Sequence, residues 1–89
     1  MNFRLKLDPL IVMQKIDDQD VLFSKKTGDF YGLNESAAFM LRQLLGSDFR
    51  TAVSQSAAAF KVDRTVIEGD LLELVESLVA SQLAEKQDL

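Results

Sequence analysis

The sequence predicts an α+β fold in which a small antiparallel sheet precedes three helices. Three observations carry this reading. Before Asn34, short apolar runs are separated by turn residues; after it, apolar residues recur at helical spacing. The early runs are joined by connections too short for anything but antiparallel neighbours. The final helical stretch carries an apolar arc that a sheet and a second helix would have to cover.

Taken in order, Phe3, Leu5 and Leu7 alternate with polar residues and would extend the first strand or form a flap. Leu10 to Ile16 is rich in β-branched residues and reads as a strand, with Pro9 at its start, where a missing N–H matters least. Asp17 to Asp20 reads as a polar turn. Val21 to Lys25 alternates as a second strand, and Lys26-Thr27-Gly28-Asp29 is a tight-turn signal. Phe30 to Leu33 is the third strand. Asn34 is a good N-cap for a helix to about Leu45, whose stripe is Ala37, Ala38, Leu41, Leu44 and Leu45. Gly46 ends that helix. A second helix runs from about Arg50 to Phe60 on a face of Val53, Ala57 and Phe60. Asp63 caps a third, from about Arg64 to Leu83. The predicted order is β-β-β-α-α-α over a single domain, residues 1–89. Two short helices and a long one beside a small antiparallel sheet give a winged helix-turn-helix-like arrangement, which by itself names no function.

Composition excludes several classes. The 89 residues hold no Cys, no His and no Trp, and the net charge is −4. Thiol nucleophiles, disulfides, imidazole bases and Cys- or His-ligated metal sites are therefore excluded. The acidic balance opposes a nucleic-acid footprint, and the third helix sets Glu68, Asp70, Glu73 and Glu76 against Arg64 alone. No apolar run approaches the roughly 20 residues of a membrane span, and no signal peptide is present, so a cytoplasmic protein is expected. The carboxylates of Asp17, Asp18 and Asp20 lack the spacing of a calcium loop and read as a solvated turn.

Two features point to function. In the third helix, Ile67, Leu71, Leu74, Val75 and Leu78 share one side, and Leu72, Val79 and Leu83 widen the arc. Either the sheet and second helix cover both flanks, or one flank stays open as a groove wall. The third strand ends the meander without Pro, bulge signal or inward charge. Either Phe30 and Tyr31 are ordinary sheet aromatics, or the strand is an edge left open for an extended peptide, with Gly32 keeping its profile low. On the second reading a proline at Tyr31 is expected to remove an edge N–H.

The run Thr27-Gly28-Asp29-Phe30-Tyr31-Gly32-Leu33-Asn34-Glu35, preceded by Val21-Leu22-Phe23 and followed by Ala37-Ala38, resembles the PqqD-like family. The likeness continues through Val62-Asp63 and Asp70-Leu71 and covers roughly residues 8–84. Two positions depart from the pattern: Leu41, where many relatives carry an aromatic, and Gln82, where a Gly commonly precedes the last leucine. The resemblance implies a non-catalytic recognition element without a cofactor, binding the leader of a ribosomally made precursor peptide. The leader would add to the third strand, Phe30, Tyr31, Gly32 and Leu33, and lie against Val66, Asp70, Leu71 and Leu74 of the third helix. Lasso-peptide biosynthesis, with a leader peptidase and a cyclase as partners, is the first pathway it implies. A pyrroloquinoline-quinone-type pathway with a radical-SAM enzyme is the second. A winged-helix DNA-binding regulator or a protein–protein adaptor stands as the alternative.

Overall fold

A computed structural model describes residues 1–89. Its elements run β1 (Phe3–Leu7), β2 (Ile11–Ile16), β3 (Gln19–Ser24), β4 (Phe30–Leu33), α1 (Glu35–Gly46), α2 (Phe49–Phe60), α3 (Arg64–Ala80) and β5 (Ala84–Asp88). The expected α+β class with three helices and antiparallel strands is observed, but as two sheets. β2-β3-β4 is the meander, and β1 pairs with β5 in a separate two-stranded sheet.

This corrects two expectations. Phe3–Leu7 neither extends the meander nor forms a flap. It pairs with a C-terminal strand, Leu7 opposite Ala84 and Phe3 opposite Asp88. The alternation of Phe3 and Leu5 reflects burial in the core, where Phe3 stacks on Phe49 with ring centroids 4.7 Å apart. The ammonium of Lys86 lies over that ring, 4.8 Å from its centroid. Asn2 ties the same end to α2, its side-chain oxygen accepting the Arg50 backbone N–H.

The third helix stops at Ala80 rather than Leu83. The Leu83 N–H bonds Leu78 O and the Gln82 N–H bonds Val79 O, a Schellman closure in which Gln82 takes a left-handed φ of 60°. Glycine is at home in that conformation, so the stop is hidden behind a residue that does not announce it. Gln82→Gly is expected to stabilise the fold by about 1 kcal/mol, by removing the Cβ–carbonyl crowding of a left-handed L-residue. A urea midpoint that stays or falls would contradict this.

The β2–β3 turn is shorter than expected. Only Asp17 and Asp18 form it, both at positive φ (49° and 65°), as in the type I′ hairpin turn. Gln19 and Asp20 already belong to β3, and Asp20 meets Arg42 of α1 at 3.5 Å.

Caps define the helix starts. The Asn34 side chain accepts the Ala37 N–H and that of Asp48 the Thr51 N–H, each at 2.8 Å. Asp63 caps through its backbone carbonyl alone, which accepts from Val66 and Ile67. The Thr51 N–H holds the Asp48 carboxyl below its ordinary pKa, with the Thr51 side chain adding to the effect. A depressed folded pKa contributes stability above the unfolded value, and that contribution is lost as pH falls through the folded one. Stability should therefore decline below about pH 4, and Asp48→Asn, which still caps, should flatten that part of the acid limb of denaturation profiles. An unchanged limb would contradict this.

One core joins everything. Ile11, Leu22 and Leu33 from the meander meet Ala38, Leu41 and Leu44 of α1, Ala52 and Val53 of α2, and Ile67, Leu71, Val75 and Leu78 of α3. No helix is long and apolar enough to cross a membrane.

Candidate functional site: an open strand edge beside an apolar cleft

β4 is an edge strand, because the meander order leaves one of its sides unpaired. It differs from the other edges in composition. β1 carries Arg4 and Lys6, β2 carries Lys15, and β5 carries Glu85, Lys86 and Asp88, whereas Phe30-Tyr31-Gly32-Leu33 has no charge. Charged side chains on an edge discourage a further strand. β4 has no such protection.

The register says which backbone groups of β4 are free. The Ser24 N–H donates to Asp29 O, which sets Ser24 and Asp29 as a hydrogen-bonded pair of the ladder, although the Asp29 N–H itself turns to the Thr27 hydroxyl. Such pairs alternate along an antiparallel ladder. With Leu22 opposite Tyr31 and Val21 opposite Gly32, Tyr31 bonds inward to Leu22. Phe30 and Gly32 turn their N–H and C=O groups to the open side. This overturns the expectation for Tyr31: a proline there breaks the β3–β4 ladder instead of trimming the edge. At the end of the strand, the Gln19 side-chain amide donates to Leu33 O at 2.9 Å and pins the junction with α1.

Beside this edge lies a cleft of about 340 Å³. Tyr31, Gly32 and Leu33 form one wall, and Leu74, Ser77 and Leu78 of α3, with Ser81 at its C-cap, form the other. Asn34, Ala37 of α1, Leu22 and Leu83 complete the lining. The side of α3 that faces the sheet is thus left open over its C-terminal half, while Ile67, Leu71 and Val75 are packed in the core.

The residues singled out in the sequence separate into groups. Tyr31, Gly32, Leu33 and Leu74 meet at the cleft. Phe30 lies on the outer sheet face, 55% exposed, its ring 4.7 Å from that of Phe23. Leu71 is fully buried in the core and does not line the cleft. Val66 is exposed on the first turn of α3, and Asp70 lines a separate groove of about 230 Å³ with Ser36, Met40, Phe60, Val62 and Ile67. Sequence reasoning missed Ser77, Leu78 as a cleft wall, and Ser81. With Leu74 they follow the i, i+3, i+4, i+7 spacing of one helix face. Counting apolar residues alone passed over the two serines.

Chemically the cleft offers main-chain donors and acceptors, aliphatic walls and small hydroxyls. Nowhere does the fold gather three His, Cys, Asp or Glu side chains that could hold a metal ion.

A family model described as coenzyme PQQ synthesis protein D matches residues 20–84. A search of curated proteins found no match. Among solved structures, a lasso peptide synthetase B1 complexed with its leader peptide is 29% identical, with a TM-score of 0.83 over 92% of this chain and 98% of that one. TbiB1 in complex with the TbiA(beta) leader peptide is 30% identical, with a TM-score of 0.80 over 90% and 94%. The family pattern spans β3 through the start of β5, the stretch that builds both the open edge and the cleft, and the chain belongs to the PqqD family.

Proposed function

We propose that this chain is a non-catalytic recognition element for the leader of a ribosomally made precursor peptide, of the lasso-peptide type. The leader adds as a strand to β4 and takes its main-chain hydrogen bonds from Phe30 and Gly32. Its alternate side chains enter the cleft over Leu33 and Leu74, while Leu71 stays in the core. Val66 and Asp70 flank the path beyond the end of the strand. The observation that carries this reading is an uncharged, unpaired edge directly beside an apolar cleft, in a chain whose similar structures are complexes with leader peptides. The chain would hand its cargo to a leader peptidase and a cyclase.

A pyrroloquinoline-quinone-type pathway with a radical-SAM partner is the second reading, favoured by the description of the family model. The winged helix-turn-helix arrangement expected from the sequence makes DNA binding the rival from another class. The exposed face of α3 opposes it, since Glu68, Glu73 and Glu76 outnumber Arg64.

Fluorescence anisotropy with labelled leader peptides of lasso and pyrroloquinoline-quinone precursors, alongside duplex DNA, separates these readings. Saturable binding of a lasso leader and none of DNA is expected. Binding of duplex DNA with a steep salt dependence, and of no leader, would overturn the proposal.

A further inference from the structure

The β4 ladder also decides where each side chain of an added strand must go. Residues directly opposite one another in a sheet share a face, whichever way the guest runs. Guest residues opposite Tyr31 and Leu33 therefore point into the cleft. The residue between them, opposite Gly32, points to the outer face.

That outer face is unusually apolar for one turned away from the helices. Val12, Ile16, Val21, Phe23 and Phe30 lie on it with Gln14 and Gln19, and Val21 is 7% exposed although it stands outside the main core. Beside the Phe23–Phe30 ring pair is the bare backbone of Gly32. Nothing within the chain demands glycine there. Its φ is not in the left-handed range, and an added Cβ would meet only the Gln19 side-chain amide, at an ordinary 3.6 Å. A glycine at a sheet edge leaves a gap that a large side chain on the neighbouring strand covers.

Resting on the peptide-capture reading above, we propose that the captured segment carries a large apolar side chain, best an aromatic, opposite Gly32. It lies across the bare backbone and against Phe30. Recognition then reads both faces of the sheet. The preferred ligand has an aliphatic–aromatic–aliphatic triplet, its outer members in the cleft and its centre on the outer face.

A displayed library of short random peptides, selected separately on the wild-type chain and on Gly32→Val, tests this. The valine keeps the edge N–H and folds, which urea denaturation verifies, but it fills the gap. Wild-type selections should enrich the triplet with an aromatic centre. On Gly32→Val the flanking aliphatic preference should persist while the aromatic enrichment disappears. Wild-type selections that tolerate a polar centre would overturn the inference and leave peptide capture standing. So would an aromatic centre that persists on Gly32→Val. If no strand-forming peptide is enriched on either protein, the capture reading fails, and this inference with it.

Discussion

Gly32→Pro should weaken leader binding by about 10–100-fold while leaving the fold close to wild-type stability. The substitution removes one of the two outward N–H donors of β4 and leaves a guest carbonyl unpaired. Such an orphaned group costs roughly 1–3 kcal/mol. The inward bonds of Tyr31 and Leu33 are untouched, because Gly32 donates nothing to β3. Tyr31→Pro is the informative contrast. It cuts the ladder to Leu22, so its main effect should be a loss of stability, with affinity falling as a consequence. Anisotropy titrations paired with urea denaturation on both variants distinguish the two. Equal stability losses would contradict the register of β4.

Leu71→Ala should destabilise the chain by about 2–5 kcal/mol, the usual cost of emptying a fully buried leucine site. For a domain of this size that is a large share of the total. The variant should lose apparent leader binding because much of it is unfolded, and excess leader should recover the folded state by mass action. Thermal denaturation with and without leader measures this. If Leu71→Ala keeps wild-type stability yet binds weakly, the side chain touches the peptide directly, contrary to its full burial in the core.

These contrasts mark what sequence alone could and could not reveal. The β2-β3-β4 meander and the Asn34 cap were legible, because turn residues and capping side chains act locally. β5 was not. Four of its five residues are polar, only Ala84 is buried, and it owes its strand conformation to pairing with β1 across the whole length of the chain. The end of α3 was obscured by a left-handed Gln82 where glycine would have flagged a stop. The open edge was visible as an uncharged final strand. The side of it on which each N–H lies was not, since that parity depends on the Ser24–Asp29 pairing. Leu71 and Leu74 share an apolar arc in sequence, yet one is fully buried in the core and the other lines the cleft. That difference comes from how α1 and the sheet approach the helix, which no periodicity records. A guest strand would also cover the aliphatic cleft that the chain itself leaves open.

Residue-resolved amide hydrogen exchange, with and without saturating leader peptide, tests strand addition most directly. In the free protein the Phe30 and Gly32 amides should exchange fast and Tyr31 slowly. With leader bound, Phe30 and Gly32 should become protected, together with amides of the Leu74–Ser81 stretch. Saturating leader that leaves Phe30 and Gly32 unprotected, or that protects the edge of β2 or β5 instead, would contradict the account.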